Sequence, residues 1–457
     1  MEPVIVHGTG RRPVVFSLGV FVAFWLSATA GLGADSPAIR LVGKEVFLES
    51  PGPGVRLLGC GYYVRAAGQE MARRFAEQTK SDKWNVAAIG FSADNGKTWS
   101  ASRQIVTHRA AEGGTFRRTV YPGWVDSEKE ILLHMIVQGV LPGDDPLAGM
   151  KHWGLRYALS RDGGRSFFYE APVIQTGGAY TESHPLKGVW IGRNSVMLGD
   201  TTCRPIRLKT GEILQPVQIT PIGKDGAYEN FGGGLTYHDS AVLIGRWTED
   251  DRIVWDLSAR VKADPKRTTR GVLEPTVIEA DDGRILMVMR GSNDRKPDLP
   301  GYRWYAVSHD GGRTFGEPRP WTYTDGKAFF SPSSCSHLIR HSGGGIYWIG
   351  NISPTNSRGN RPRYPLVIGE VDPVTLLLRK ETVVTIDTRR EGDADYLALS
   401  NFFVQEDRVT REILVYVSPI GKHRSTGTSP ASLPGRRSVD FTGDTYIYRI
   451  SVGRGKR

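Results

Sequence analysis

The sequence predicts an all-β fold built from repeated sheets. Three observations support this prediction: short apolar runs separated by Gly, Pro and Asp, an eight-residue pattern that occurs three times, and a composition of 55 Gly, 11 Trp and 23% charged residues in a chain of 457. Such a composition is typical of a globular protein without a helical or disordered bias. With 457 residues, the chain is also long enough to bury a large hydrophobic core.

The eight-residue pattern, which we call the box, reads Ser, any residue, Asp, any residue, Gly, two further residues and an aromatic. Its copies are residues 92–99, 160–167 and 308–315, and their aspartates are Asp94, Asp162 and Asp310. A short Asp side chain can accept backbone N–H bonds in a turn, and a Gly can take a positive φ. The aromatic can pack inward as the next strand begins. We therefore predict that these aspartates stabilise turns and are not catalytic.

The spacing of the boxes predicts the number of units. Asp94 and Asp162 are 68 residues apart, and Asp162 and Asp310 are 148 apart, or two intervals of 74. One repeat between the last two boxes has therefore lost its box. Residues 35–457 number 423 and divide into six units of about 70 residues. Because no linker interrupts them, residues 35–457 are predicted to form one domain.

Apolar runs between the boxes predict the strands. They are short and end at Gly, Pro or Asp, which favours buried strands over helices. The clearest runs are residues 131–137, 195–198, 240–247, 346–349 and 413–417, and residues 444–452 alternate like a final strand.

Residues 274–290 form the most distinctive predicted hairpin. Two β-rich runs flank the Asp-Asp-Gly turn at residues 281–283, and an Asp-Gly pair between apolar runs is a strong hairpin signal. If the turn is centred on Asp282, residues whose numbers sum to 564 are paired, and Glu274 lies opposite Arg290. On spacing alone, this is a cross-strand ion pair that contributes about 0.2–1 kcal/mol.

Residues 1–34 are predicted to be a secretory signal peptide. Arg11 and Arg12 precede an apolar run at residues 13–32, and small residues lead up to Ala34. This is the order of the n-region, the h-region and the cleavage site. The protein is then secreted or periplasmic. The alternative is an uncleaved membrane anchor, because the apolar run is just long enough to span a bilayer.

Charge and cysteine content narrow the range of partners. Without residues 1–34, the chain has 57 basic and 47 acidic residues, a net charge of +10, which favours anionic partners. Nucleic acid is not predicted, because no basic run is interleaved with aromatics. Cys60, Cys203 and Cys335 have no metal-binding spacing and allow at most one disulfide. We therefore predict no metal and no cofactor.

The repeated box resembles the Asp-box, or BNR, repeat of the sialidase superfamily. The resemblance covers most of residues 35–457 as a fold and implies a six-bladed β-propeller, with the boxes on the rim opposite the active face. In such a ring, residues 444–452 would be the closing strand. The resemblance also implies a retaining, exo-sialidase-like glycoside hydrolase with a tyrosine nucleophile, which acts on a terminal acidic sugar of a glycan or glycoconjugate.

The same resemblance implies site residues. Sialidases hold the substrate carboxylate with three arginines, activate a tyrosine with a glutamate and use an aspartate as acid/base. The interval from Glu274 to Arg290 is similar to the element that supplies this glutamate and the second arginine. Arg363 precedes a strand, as the third arginine does, and Asp82 precedes a strand in the first repeat, as the acid/base does. Tyr396 has the chain order of the nucleophile.

Several assignments stay open. Arg363 and Asp82 can also be read as solvated loop residues, and because the context of Tyr396 differs from the family pattern, Tyr416 and Tyr305 are alternatives. Residues 36–65 lack the triplet that carries the first arginine of the clamp; their arginines are Arg40, Arg56 and Arg65. Three functions therefore remain: hydrolysis of an acidic sugar, hydrolysis of a different sugar, or binding of glycan or protein without catalysis.

Overall fold

A computed structural model of the chain describes residues 39–423 and 439–453. These residues are almost entirely strands and connecting loops, in six antiparallel sheets. The predicted six-bladed β-propeller is confirmed. The predicted signal peptide at residues 1–34 lies outside the described residues and stays a prediction.

The first described strand closes the ring. β1 (Ile39–Leu48) is the outer strand of the sixth sheet and pairs antiparallel with β27 (Thr445–Val452). β27 is the predicted final strand, so the two ends of the described chain meet in one sheet. Radial repetition protects strand edges in this way, because joining the first and last units leaves no sheet open.

The remaining strands follow in chain order. Sheet 1 contains β2 (Arg56–Tyr63), β3 (Met71–Gln78), β4 (Val86–Ser92) and β5 (Arg103–Ile105). Sheet 2 contains β6 (His108–Ala111), β7 (Gly114–Val120), β8 (Trp124–Asp126), β9 (Ile131–Leu141), β10 (Gly154–Ser160) and β11 (Tyr169–Pro172). Sheet 3 contains β12 (Val196–Met197), β13 (Ile206–Arg207), β14 (Ile213–Ile219), β15 (Asp239–Trp247) and β16 (Ile253–Leu257).

Sheet 4 contains β17 (Leu273–Glu279), β18 (Ile285–Arg290), β19 (Arg303–Ser308) and β20 (Arg319–Pro320). Sheet 5 contains β21 (His337–Arg340), β22 (Ile346–Asn351), β23 (Leu366–Val371) and β24 (Val384–Asp387). Sheet 6 adds β25 (Phe402–Glu406) and β26 (Ile413–Val417). The helices are α1 (Gly149–His152) and the 3-10 turns Pro142–Asp144, Pro146–Ala148 and Lys380–Thr382. Each predicted apolar run coincides with one of these strands.

The hydrophobic core lies between neighbouring sheets. Between the fourth and fifth sheets, Trp321 and Trp348 meet edge to face with ring centroids 5.4 Å apart. Between the second and third sheets, Tyr157 packs on Trp255 in the same manner at 5.6 Å. Burying a large apolar side chain stabilises the fold by roughly 1.5–3 kcal/mol. Because these contacts occupy the sheet faces, the strand ends near the ring axis are left to carry polar groups.

The cysteines are buried and form no disulfide in the described chain. Burial raises the pKa of Cys60 and of Cys335 to about 12, so both stay as unreactive thiols at neutral pH. None of the helices within residues 39–423 and 439–453 has the length and apolar character needed to cross a membrane.

Each of the three boxes forms the turn that follows a strand, namely β4, β10 and β19. In the first box, Asp94 Oδ1 accepts the N–H of Thr98 at 2.9 Å, Asp94 Oδ2 accepts the Thr98 hydroxyl at 2.6 Å, and the Ser92 hydroxyl donates to Asp94 at 2.7 Å. The bonds from Thr98 lower the pKa of Asp94 to about 2. The equivalent bonds recur at Asp162 and Asp310. In all three boxes the Asp side chain thus accepts backbone N–H bonds within a turn, as the sequence pattern predicts.

The repeat without a box lies in the third sheet. Between β15 and β16, the Thr248 hydroxyl donates to Asp250 at 2.6 Å and accepts the N–H of Arg252 at 3.1 Å. The glycine of the box is absent from this turn. Thr248 and Asp250 therefore stand where the other turns have the Ser and Asp of the box. Because the full pattern is absent here, the distance between the flanking boxes, Asp162 and Asp310, is two repeats instead of one.

The box at Asp310 gives a prediction about stability. Asp310→Ala removes the acceptor of the Thr314 N–H and hydroxyl, so we expect the melting temperature to fall by a few degrees. Activity per folded molecule should not change, because Asp310 does not line the cavity described below. Calorimetry and an activity assay at matched folded fraction test this, with the exposed Asp298→Ala as control. Loss of activity at an unchanged melting temperature would refute a purely structural role.

The predicted hairpin forms with the predicted register over most of its length. From residue 276 with 288 to residue 279 with 285, the paired numbers sum to 564. A bulge then shifts the ladder, so that Leu273 rather than Glu274 pairs with Arg290. The predicted pairing is wrong by one residue at this end, because Glu274 lies in the bulge with φ at +47°. Bulges of this kind re-aim a side chain.

Candidate active site

A cavity of about 420 Å³ opens where the six sheets converge, and residues from every sheet or its loops line it. Asp82, Glu274, Arg290 and Arg363 are among the lining residues, whereas Tyr396 and the box aspartates are not. β4 runs from the cavity to a box, so cavity and boxes lie at opposite ends of the strands, about 20 Å apart for a seven-residue strand. Within the described ranges, no group of three or more His, Cys, Asp or Glu is placed to hold a metal ion.

Glu274 and Arg290 form a buried ion pair in the cavity wall. Nη1 of Arg290 lies 2.5 Å from Oε1 of Glu274, its Nε donates to the Ser333 hydroxyl at 2.7 Å, and its Nη2 donates to the Asn360 side-chain oxygen at 2.9 Å. The other carboxylate oxygen, Oε2 of Glu274, is buried without a hydrogen-bond partner. Burying an oxygen without a hydrogen bond costs free energy. Oε2 of Glu274 is therefore able to accept a hydrogen bond or a proton from a bound group.

Local backbone geometry fixes the acidic side of the cavity. Asp82, Glu274 and Asn401 have φ values of +58°, +47° and +59°, and all three line the cavity. Non-glycine residues in this region carry strain that the surrounding structure must sustain, and such residues cluster at functional sites. Gly199 is required opposite Glu274, because a Cβ there would lie 2.3 Å from the Glu274 Cγ.

Arg56 is a buried cavity arginine that the sequence analysis did not assign to the site. It is the first residue of β2, is 2% exposed and lines the cavity. Its Nε donates to the Ser418 carbonyl at 2.7 Å and its Nη1 to the Gln78 side-chain oxygen at 2.8 Å. Burial and, among the neighbouring charges, repulsion by Arg363 lower the pKa of Arg56 to about 9. The signal in the sequence was an arginine at the start of an apolar run.

Arg363 is not a freely solvated loop residue. Its Nε donates to the Asn360 carbonyl and its Nη2 to the Ser333 carbonyl, both at 3.0 Å. Burial and then the nearby Arg290 lower the pKa of Arg363 to about 10. Arg56, Arg290 and Arg363 therefore line one cavity, and only Arg290 has a carboxylate partner.

The predicted nucleophile and its alternatives do not line this cavity. The Tyr396 hydroxyl accepts the backbone N–H of Asp440 at 3.2 Å. Tyr416 is buried in the hydrophobic core, and Tyr305 packs beside the core between the fourth and fifth sheets. The catalytic role of Tyr396 stays a prediction, which this placement does not favour.

Tyr121 is the tyrosine that the described cavity does contain. Its hydroxyl donates to the Leu198 carbonyl at 3.1 Å. Burial, followed by the negative charges of Asp200 and Glu274, holds the pKa of Tyr121 well above its usual value. The phenol is therefore neutral in the free protein and would need Glu274 or another base to become a nucleophile.

Asp200 is an acidic residue that sequence reasoning missed. It follows β12 directly after Gly199, is 8% exposed and lines the cavity. Oδ1 accepts the Thr201 N–H at 2.6 Å, and Oδ2 accepts the Asn401 side-chain amide. Burial and then the charge of Glu274 raise the pKa of Asp200 to about 6. A carboxyl group with such a pKa can carry a proton near neutral pH.

The raised pKa of Asp200 predicts a specific pH dependence of stability. Because the folded pKa exceeds the ordinary one, the contribution of Asp200 is fully present below about pH 4 and is lost as pH rises through about 6. Asp200→Asn removes this loss. The free energy of unfolding of the variant minus that of wild type should rise by roughly 2–3 kcal/mol between about pH 4 and pH 8.

Denaturant titrations at several pH values measure this difference. The exposed Asp298→Asn is the matched control and should give a difference that does not vary with pH. A flat difference for Asp200→Asn as well would show that folding does not raise the pKa of Asp200.

Sequence comparison identifies a family for most of the chain. The profile of the BNR repeat-like domain matches residues 124–396. No curated protein matches the sequence.

Several solved structures share the fold. A protein of unknown function from Dyadobacter fermentans has a TM-score of 0.53 at 14% identity, covering 91% of this chain and 100% of that one. The NanB sialidase of Streptococcus pneumoniae has a TM-score of 0.54 at 14% identity, covering 91% of this chain and 70% of that one. Trypanosoma rangeli sialidase, solved with the inhibitor DANA, has a TM-score of 0.52 at 13% identity, covering 90% and 60%. At these identities the likeness establishes the fold alone.

Proposed function

This chain belongs to the BNR repeat-like domain family, and from that premise we propose that it is a sialidase-like glycoside hydrolase that removes a terminal acidic sugar from a glycan. The observation that supports this proposal is the convergence of Arg56, Arg290 and Arg363 on one cavity that also contains buried carboxyl groups. Solved sialidases share this fold, which is consistent with the proposal.

The arginines account for recognition of the sugar. A guanidinium group is always charged and can hold a carboxylate with two parallel hydrogen bonds. Arg56 and Arg363 have no carboxylate partner in the described chain and are anchored through backbone carbonyls. They are therefore rigid and electrostatically unsatisfied, which prepares them for an anionic ligand without reorganisation.

The carboxyl groups account for proton transfer. Asp82 lies exposed at the cavity, with the Ser81 hydroxyl donating to it at 2.9 Å, and can protonate the leaving oxygen. Glu274 offers its unpartnered Oε2 as the base. Asp200, with a pKa of about 6, is a second proton carrier. Two groups can attack the anomeric carbon: a tyrosine activated by Glu274, which retains configuration, or a water, which inverts it.

A catalytically silent glycan-binding propeller is the second candidate. The observation that favours it is that no tyrosine hydroxyl in the described chain bonds to Glu274, because the Tyr121 hydroxyl is engaged by Leu198. In this alternative the same arginines bind the acidic glycan, and no bond is broken.

Release of a fluorogenic aglycone from a panel of sialosides, other acidic glycosides and matched neutral glycosides separates the two candidates. We expect the wild-type protein to turn over at least one acidic glycoside and none of the neutral ones. Binding of acidic glycans measured in parallel by calorimetry identifies the binder. Binding without turnover of any substrate would exclude hydrolysis of the tested sugars and favour the silent propeller.

A further inference from the structure

Arg270 is a further buried arginine of the cavity that contains Arg56, Arg290 and Arg363, the proposed carboxylate clamp. Arg270 directly precedes the glycine and strand that lead to Glu274, is 6% exposed and lines the same cavity. Its Nε and Nη2 both donate to the Thr236 hydroxyl, at 3.2 Å and 2.5 Å. No carboxylate forms an ion pair with it in the described part of the chain. A single neutral hydroxyl thus accepts from a guanidinium that has five N–H donors.

His238 lies in the same part of the cavity wall as Arg270 and Thr236, and we call these three residues the corner. It is 1% exposed, lines the cavity, and neither ring nitrogen has a hydrogen-bond partner. Burial and then the charges of Arg270 and Arg290 hold the pKa of His238 well below its usual value. The imidazole is therefore neutral and offers one N–H donor and one acceptor. Both buried ring nitrogens are therefore able to form a hydrogen bond with a bound group.

Glycines hold this corner in place. A Cβ at Gly234 would lie 2.7 Å from Cγ of Arg270, and a Cβ at Gly271, whose φ is +65°, would lie 2.1 Å from the His238 carbonyl oxygen. The His238 N–H also donates to the Arg270 carbonyl at 3.1 Å. The segment before β15 and the segment before β17 are therefore packed tightly together, which fixes the positions of Arg270 and His238 relative to each other.

The charge of the cavity exceeds what one carboxylate can balance. Five arginines line it together with the carboxyl groups of Asp82, Asp200 and Glu274, and of these five only Arg290 has an ion-pair partner in the described chain; the five are Arg56, Arg74, Arg270, Arg290 and Arg363. Arg117 and Arg118 also line the cavity but pair with Asp144 and Glu170. A ligand with one carboxylate would leave further guanidinium charge unbalanced in a poorly solvated space, which is unfavourable. We propose that Thr236, His238 and Arg270 bind a second anionic group, so that the cavity selects a doubly negative sugar, such as an acidic sugar that also carries a sulfate ester or a second carboxylate.

This inference rests on the carboxylate clamp of the proposed function but needs no turnover. Its test is calorimetric binding of simple anions at constant ionic strength: acetate as the single carboxylate, and malonate, succinate, glutarate and sulfoacetate as dianions of different spacing. The wild-type protein should bind the best dianion about tenfold or more tightly than acetate, since a second charge-assisted contact is made.

Arg270→Met should remove the advantage of the dianion and change acetate binding little, whereas Arg290→Met should weaken both. Arg267→Met, an exposed arginine three residues earlier, is the control. If Arg270→Met does not fold, His238→Gln and Thr236→Val test the same corner, and each should reduce the dianion advantage. Equal loss of acetate and dianion binding in Arg270→Met would place Arg270 in the single clamp and overturn the second site. A dianion series that never exceeds acetate would also overturn it.

Hydrolysis and the second site fail separately. A wild-type protein that binds dianions tightly but cleaves nothing would refute hydrolysis and leave this inference intact. A protein that cleaves singly charged and doubly charged acidic glycosides equally well would refute the second anionic site and leave hydrolysis supported.

Discussion

Arg56→Lys is expected to weaken binding of the acidic sugar by about 10- to 100-fold and to leave binding of a matched neutral sugar nearly unchanged. A lysine keeps the charge but lacks the planar fork that engages a carboxylate with two bonds. It also cannot reproduce the bonds of Arg56 to both the Ser418 carbonyl and Gln78, so its ammonium would not be held over the cavity.

Calorimetric titration of the acidic sugar and its neutral analogue, for wild type and variant, measures this effect. The control is Arg40→Lys, an exposed arginine of β1 that does not line the cavity. Equal weakening for the acidic and neutral sugars would mean that Arg56 supports the fold of the site without contacting the carboxylate. Unchanged affinity for both would remove Arg56 from the clamp.

The features that were predictable from the sequence are governed by local rules. Each box needs a Ser, an Asp and a Gly at fixed offsets, and its bonds span at most four residues, as in the contacts of Asp94 with Ser92 and Thr98. The hairpin register from residue 276 to 279 follows from its turn and from the alternation of side chains. The number of units followed from the spacing of the same boxes.

The site was less predictable because it is assembled from distant segments. Arg56 reaches the cavity through contacts with residues more than 340 positions away, as its bond to Ser418 shows, and no local pattern encodes such a contact. Asp200 was missed because its raised pKa arises from burial and from Glu274, which lie outside any local motif. The one-residue error at Glu274 has a similar origin, since nothing in the turn sequence announces the bulge beside Leu273.

In the proposed mechanism Glu274 would take part both in sugar recognition and in proton transfer. Oε1 neutralises Arg290 at 2.5 Å, while Oε2 has no partner. The same charge helps to raise the pKa of Asp200. In the proposed mechanism one carboxylate would therefore orient part of the clamp, supply a base and help to keep a neighbouring acid protonated, a division of roles that paired carboxyl groups show in hydrolases. Removal of its charge without a change of shape should affect these three properties differently.

Glu274→Gln is expected to lower turnover of the acidic glycoside by about 10²- to 10⁴-fold, because an amide cannot accept the proton that a general base removes. Binding of the acidic sugar should be maintained or strengthened, since the amide oxygen can still accept from Arg290 and one negative charge has left the cavity. The pKa of Asp200 should fall, because one of the two causes that raise it is gone. The acid-dependent limb of the pH–activity profile should shift to lower pH.

Steady-state kinetics over a range of pH, together with binding measured without turnover, separate these effects, because a change in kcat with unchanged affinity marks a loss confined to the transition state. Glu279→Gln is the matched control: it lies on the same strand as Glu274, and its carboxylate accepts the Lys209 N–H at 2.9 Å outside the cavity. Retention of wild-type turnover and pH profile by Glu274→Gln would exclude Glu274 as the base. If the wild-type protein itself cleaves no substrate while Glu274→Gln binds the acidic sugar as well as or better than wild type, the arginines act in recognition alone and the propeller is a binding protein.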